Sequence, residues 1–129
     1  MNTATRRERI ARGRYGSGVP DVIRLSDLAL SETASRFEGA DHGATISFFV
    51  TRHPNGGGPS LHRHPYEETF VLRRGVAEFT VGGETIEARA GDVVVVPANT
   101  PHRFRSIGDE DLEQLSIHLA PRMVQEWLE

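Results

Sequence analysis

Apolar and polar residues alternate with a period of two along most of the chain after residue 44. The alternation recurs in short segments separated by turn residues, which indicates β-strands because successive side chains of a strand point to opposite faces. Gly82-Gly83 lies between two of these segments, where a two-residue hairpin requires positive φ. The pattern predicts short antiparallel strands at residues 44–51, 60–64, 68–74, 76–81, 84–88, 92–97, 102–106 and 112–119.

The two ends of the chain depart from this pattern. Residues 1–20 combine five arginines with glycine and proline, which predicts a flexible N-terminal arm. Residues 21–30 fit either an edge strand followed by a turn or a short helix. After Pro121 the apolar residues have helical spacing, so we expect a short C-terminal helix that caps the fold or joins a subunit contact; these residues are Met123, Val124, Trp127 and Leu128.

Many short, evenly spaced strands without intervening helices indicate a sandwich or barrel and not a parallel α/β sheet. The 129 residues are enough for one compact domain, which we expect over residues 21–129.

Composition excludes several classes of function. The chain has no cysteine, which rules out disulfides, thiolate zinc sites and cysteine nucleophiles. All 15 basic residues are arginine, so lysine Schiff-base chemistry and a P-loop lysine are also excluded. A net charge of -3 gives no reason to expect nucleic acid as a partner. No segment has the length and apolar character of a membrane span or a signal peptide, so a cytoplasmic location is expected.

Three histidines and a glutamate carry the candidate chemistry. His62 and His64 are two residues apart, so in a strand both side chains point to the same face. A carboxylate follows at the start of the next strand, from Glu67 or Glu68, only one of which can share that face. His102 begins another strand. Burying three imidazoles and a carboxylate together is costly unless a divalent cation compensates.

These residues resemble the two sequence motifs of the cupin superfamily. The first motif, over residues 56–75, has Gly56, then His62-x-His64, Glu68 and Gly75 at the intervals of the family. The second, over residues 91–106, has Gly91, Pro97 and His102, but it departs from the family at Asn99, where glycine is common, and at Ser106, where asparagine is common.

The resemblance implies an all-β fold, an antiparallel jelly-roll (double-stranded β-helix) barrel, that holds a metal inside its mouth and commonly forms dimers. It favours Glu68 over Glu67, because only Glu68 fits the motif intervals. The implied metal ligands are His62, His64, Glu68 and His102. Imidazole with carboxylate suits a divalent transition metal ion, Fe, Mn, Ni, Co, Cu or Zn, and the ligands alone do not select one.

Further residues are candidates for the pocket wall. Tyr66, Phe70 and Phe104 are aromatic candidates, with burial in the core as the alternative. Gln114, Ser116 and His118 share the polar face of the last predicted strand, which either lines the pocket or is exposed to solvent. His42 and His53 lie beside turn residues and are predicted to be solvated loop residues.

The sequence leaves three functions open for a small-molecule ligand. The first is a metalloenzyme, a dioxygenase-like oxidoreductase. The second is a non-catalytic module that binds a small ligand or sugar, or acts as a sensor. The third is a metal-dependent isomerase. A homodimer is the expected assembly, and neither nucleic acid nor a membrane is an expected partner.

Overall fold

The computed structural model describes residues 21–129, whose regular structure is almost entirely β-strand. The described part of the chain has two short 3-10 helices, at Leu25–Leu28 and Gly39–Asp41. Its strands are β1 (Ala34–Glu38), β2 (Ser47–His53), β3 (His62–Arg63), β4 (Glu68–Arg74), β5 (Val76–Val81), β6 (Glu84–Arg89), β7 (Val93–Val96), β8 (His102–Ser106), β9 (Leu112–His118) and β10 (Glu126–Trp127).

The strands form two five-stranded antiparallel sheets. One sheet has the order β1-β2-β9-β4-β7, and the other has the order β10-β3-β8-β5-β6. Sequential neighbours such as β5 and β6 pair through the hairpin at Gly82-Gly83, whereas β9 inserts between β2 and β4. This arrangement confirms the predicted all-β, antiparallel jelly-roll.

The core lies between the two sheets and follows the alternation of the sequence. In β7, Val94 and Val96 are buried while Val93 and Val95 are exposed. Phe70 from one sheet packs edge-to-face on Phe79 from the other, with ring centroids 5.0 Å apart. The remaining buried apolar residues complete the same cluster: Leu72, Ala77, Ala88, Phe104 and Leu112.

Two features near the N-terminal end complete the comparison with the predicted elements. Residues 21–30, which fitted a strand or a helix, contain the 3-10 helix Leu25–Leu28 and an isolated bridge from Ala29 to Ser35. Strand β1 was not predicted, because its sequence, Ala-Ser-Arg-Phe-Glu, has too few apolar residues to show an alternation. The arm predicted for residues 1–20 lies outside the described residues.

The predicted C-terminal helix is wrong. Beyond Pro121 the chain is extended, and Glu126–Trp127 form strand β10 on the edge of β3. A segment this short gains little from helix formation, because the first turn is costly to nucleate. Pairing instead satisfies backbone groups at the open edge of β3, as in the 2.9 Å hydrogen bond from Leu128 N to Leu61 O.

None of the helices formed by residues 21–129 has the length and apolar character needed to cross a bilayer.

Candidate metal centre

The four candidate ligands come from three strands and one connection between strands. In one sheet, His62 in β3 is directly opposite His102, the first residue of β8. In the other sheet, Glu68, the first residue of β4, is opposite His118 at the end of β9. His64 lies in the short connection between β3 and β4. The cluster therefore sits where the two sheets face each other at one end.

The four side chains are buried and close enough to share one ion. One ligand atom from each lies within 4.8 Å of the others. Nε2 of His102 is 3.0 Å and Nε2 of His64 is 3.1 Å from the same oxygen, Oε1 of Glu68. The exposed fractions are small throughout: 5% for His62, 2% for His64, 4% for Glu68 and 1% for His102.

Each of these three rings is fixed by a main-chain carbonyl behind it. Nδ1 of His62 is 2.7 Å from the carbonyl oxygen of Ser60, and Nδ1 of His102 is 2.8 Å from that of Thr100. Nδ1 of His64 is 2.8 Å from the carbonyl oxygen of Val124. A carbonyl can only accept, so each Nδ1 carries the hydrogen. In a neutral ring the lone pair of Nε2 then faces the interior of the cluster.

Such lone pairs oppose the carboxylate of Glu68 unless a cation lies between them. Nε2 of His64 is buried, and although it is 3.1 Å from Glu68 it has no hydrogen-bond partner at an acceptable angle. Three inward lone pairs, one of them on this unpartnered nitrogen, and one carboxylate are a donor set that a divalent transition metal binds. The residues present therefore fit the metal that the sequence implied.

His118 is held differently from the other three histidines. Its Nδ1 is 2.7 Å from the hydroxyl of Tyr66, which also accepts a hydrogen bond from Val124 N at 3.2 Å. The phenol has one hydrogen to donate, and Nδ1 of His118 is its nearest acceptor. A neutral His118 then carries its hydrogen on Nε2, which is 3.0 Å from Oε2 of Glu68. Nε2 of His118 therefore lies against the carboxylate of Glu68, but like Nε2 of His64 it makes no hydrogen bond at an acceptable angle.

Burial and these contacts shift the pKa values of the cluster. Burial alone raises the pKa of Glu68, but hydrogen bonds from His102, His118 and His64, in the ring forms that carry a hydrogen on Nε2, outweigh it and hold the pKa well below its ordinary range. Burial lowers the pKa of His62 to about 4, and the neighbouring rings of His102 and His64 act in the same direction. The resting charges are therefore an ionised carboxylate and a neutral His62 ring. Both are the forms that bind metal.

The second candidate carboxylate lies elsewhere. Glu67 is exposed to solvent, whereas Glu68 is buried at the centre of the cluster. Asn99, which departs from the family motif, has a left-handed φ of 61°. Its main-chain N–H donates to the carbonyl of His64 over 2.7 Å, so the turn before β8 supports the loop that carries this ligand. Asparagine tolerates this conformation better than most residues.

A cavity of about 400 Å³ adjoins the cluster and is lined in part by His62, Glu68 and His118. The polar face of β9 points into it, because Gln114 and Ser116 are buried lining residues. Phe104 also lines the cavity. Phe70 lies in the core instead, and Tyr66 contacts His64 and His118 from outside the cavity.

Several lining residues were not identified from the sequence, and three of them have ring side chains, His53, Phe49 and Trp127. His53 was predicted to lie in a solvated loop, but it ends β2, and burial lowers its pKa. Its ring packs edge-to-face on Phe104 at 5.2 Å. Trp127 was assigned to the wrong element, the C-terminal helix. Phe49 gave no signal beyond the alternation of β2, and it lies on the cavity side.

Comparison with known proteins identifies the same family as the sequence motifs. Residues 48–118 match the profile of a family described as "Cupin domain". Among curated proteins, the uncharacterized protein SCO3923 of Streptomyces coelicolor is 33% identical over 108 residues, which are 78% of this chain and 96% of that protein. The polyketide synthase CurC of Streptomyces cyaneus is 41% identical over 63 residues, or 48% of this chain.

A solved structure with the same fold is oxalate decarboxylase of Bacillus subtilis, described with Mn(II) centres. It superposes with a TM-score of 0.73 and 27% identity over 86% of this chain. The matched regions cover only part of two relatives, 40% of CurC and 33% of the oxalate decarboxylase chain. The similarity alone therefore does not assign the activities of those larger proteins to this chain.

Proposed function

The chain belongs to the cupin family, and on this premise we propose that it binds one divalent transition-metal ion through His62, His64, Glu68 and His102. The observation that carries the proposal is the orientation of the three histidine rings. Each Nδ1 is bonded to a carbonyl, so each Nε2 is presented to the Glu68 carboxylate as a lone pair. The Mn(II) centres of the B. subtilis relative support the choice of a divalent metal.

The proposed activity is that of a small-molecule metalloenzyme, a dioxygenase-like oxidoreductase. A bound metal ion supplies a Lewis acid or a redox centre. The chain contributes a cavity that reaches the cluster, and the aromatic rings of Phe49, Phe104 and Trp127 on its wall exclude water from a bound substrate. His118 packs against the second oxygen of Glu68, with Nε2 3.0 Å from Oε2, and so limits the orientations open to the carboxylate.

Elemental analysis of natively purified protein tests metal binding, with His62→Ala as the control. We expect close to one equivalent of one transition metal in the wild type and a large loss in the variant. Equal metal content in both proteins would overturn the assignment of the ligands.

Oxygen uptake tests the proposed reaction class. Protein loaded anaerobically with Fe(II) is assayed with catechols, β-diketones and thiols, and uptake with one class is expected. Turnover retained with Zn(II), which has no redox chemistry, would instead favour an isomerase. Ligand binding without turnover by any metal form would assign the chain to the non-catalytic binding modules.

We also propose that the chain forms a homodimer through the outer face of the first sheet. The strand register aligns two rows across this face. One row is entirely apolar and consists of Val50, Leu115, Val71 and Val93, and the other has one polar residue and consists of Phe48, Ile117, Thr69 and Val95. Val93 is 60% exposed and Val95 is 56% exposed. Contiguous apolar surface of this kind is typical of an interface between subunits.

A further inference from the structure

The walls of the cavity beside the cluster identify the chemistry of a ligand. Phe49, Phe104 and Trp127 give it an aromatic and mostly apolar lining. A cavity of about 150 Å³ holds one benzene molecule, so one of about 400 Å³ has room for two fused rings. Aromatic side chains pack favourably on a flat ring in offset-stacked or edge-to-face geometry.

The charges around the cavity disfavour an anionic ligand in the metal-free protein. Among the described residues that line it there is no arginine, and the chain has no lysine to bind a carboxylate or phosphate. The one carboxylate on the lining, Glu68, would repel an anion. The described part of the wall therefore offers no positively charged side chain to pair with an anion.

Two buried polar atoms of the lining side chains lack a hydrogen-bond partner, Nε2 of His118 beside Glu68 and Oε1 of Gln114. Oε1 of Gln114 is buried without a hydrogen bond, in a side chain that is 2% exposed. A buried acceptor without a donor is costly, and a ligand hydroxyl would remove that cost. The wall also carries the polar side chains of Thr51, Ser116 and Gln125, but most of its exposed area is apolar. A ring with one or two hydroxyls would therefore leave fewer polar groups unpaired than a sugar with many hydroxyl groups.

We propose that the cavity binds an uncharged, planar aromatic compound with a hydroxyl group, of the size of a naphthol, with Oε1 of Gln114 accepting from that hydroxyl. The inference rests on the proposed metal site only in that it assigns a substrate class to the same centre. Gln114 acts as a specificity-determining residue, and Phe49, Phe104 and Trp127 recognise the flat ring.

Calorimetric titration with 2-naphthol and 2-naphthoate tests the proposal on the full metal-free chain. The two probes share a ring system and differ in charge. We expect 2-naphthol to bind at least about tenfold more tightly than 2-naphthoate, since without a metal ion only the neutral probe avoids an unpaired charge. Equal affinity, or a preference for naphthoate or for glucose, would overturn the proposal.

Gln114→Leu keeps the approximate volume of the side chain and removes the acceptor. It should weaken 2-naphthol binding by about tenfold, the upper range for one hydrogen bond. The matched control is Glu113→Gln, on the opposite face of β9, which should leave the affinity unchanged. Unchanged binding to folded Gln114→Leu protein would refute the role of this residue.

The single tryptophan gives an independent measurement that does not depend on a core substitution. Trp127 is the only tryptophan in the sequence and lines the cavity, so its one indole N–H signal in a 1H–15N correlation spectrum should shift on addition of 2-naphthol. An unmoved signal at saturating probe would refute the assigned cavity. Naphthol binding to protein that takes up no metal would refute the metal site alone, and metal uptake without naphthol binding would refute the ligand alone.

Discussion

Each histidine of the proposed ligand set is oriented by one main-chain carbonyl, and this is the feature that separates a metal site from a cluster of hydrogen-bonded histidines. A ring that donates from Nδ1 has only an acceptor left to offer at Nε2. His118 is the internal contrast, because the hydroxyl of Tyr66 faces its Nδ1 and leaves it to donate toward Glu68. The four buried histidines therefore have two roles, and the hydrogen-bond partner of Nδ1 determines which role each ring has.

Neutralising Glu68 should abolish most metal binding. Glu68→Gln removes the one anionic donor while keeping the shape of the side chain. Because loss of an outer partner of a ligand already costs about 10- to 100-fold in affinity, we expect a loss above about 100-fold for the ligand itself. Competition with a chromogenic chelator measures it. Glu67→Gln is the matched control on the exposed neighbour, and equal losses in the two variants would contradict the assignment.

Acid should destabilise the metal-free protein through His62. Its pKa is about 4 in the folded chain, against an ordinary value of 6.5, so between these pH values the unfolded state binds more protons. Lowering the pH from about 6.5 to about 4 therefore favours unfolding, by roughly 3 kcal/mol if the whole shift is expressed. The lowered pKa of Glu68 acts in the same direction, because its contribution is lost as pH falls below the unfolded value.

Urea unfolding in the presence of a chelator, repeated across this pH range, measures the effect. His62→Gln removes one titrating group. Between pH 6.5 and 4 it should reduce the slope of the free energy of unfolding against pH by an amount equivalent to the binding of up to one proton. A variant with the same slope as the wild type would show that His62 does not titrate in this way.

At the scale of elements, the extended C-terminal tail supports the site that β3, β4 and β8 present. Its Val124 carbonyl orients the ring of His64, and Trp127 of β10 closes the cavity. The tail was also the element that the sequence predicted wrongly. Its helical spacing of apolar residues was real, but a partner strand with open backbone groups outweighed local propensity, and no local pattern reports such a partner.

Removing the tail should weaken the site more than the fold. A chain ending at residue 120 loses β10 and the acceptor for Nδ1 of His64, so we expect metal affinity to fall by about 10- to 100-fold. The far-ultraviolet circular dichroism spectrum should stay that of a β-protein, because both sheets retain their other strands. The control is Glu126→Gln, which weakens only the exposed 3.1 Å ion pair with Arg63. Full metal affinity in the truncated chain would contradict this role for the tail.

At the scale of the whole molecule, the strand pattern and the motif intervals predicted the fold and which residues would meet. His-x-His spacing, the start of β4 and the start of β8 are all visible in the sequence. The roles of His53, Phe49 and Trp127 were not, because a cavity wall is assembled by sheet curvature and by distant strands. The sequence also did not decide whether His118 would line the pocket or be exposed to solvent. The alternation separates the two faces of β9, but it does not indicate which face points to the interior.

The proposed dimer makes a prediction at this scale. In size-exclusion chromatography with light scattering, the wild-type protein should have a mass close to twice that of one chain. Val95→Glu should reduce this mass to that of the monomer, because burying a charge in an apolar interface is costly when the charge has no partner. Glu84→Gln, an exposed substitution at the start of β6 in the other sheet, should leave the dimer intact. A monomeric wild-type protein at micromolar concentration would refute the proposed dimer and would leave the proposed metal site untouched.

Anomalous diffraction from crystals of metal-loaded protein tests the central claim most directly. Data collected on both sides of the absorption edge of the metal should give one strong peak, within bonding distance of ring nitrogens of His62, His64 and His102 and of an oxygen of Glu68. A peak only at the surface, or none inside the cluster at full metal loading, would contradict the claim that these four residues bind a common ion.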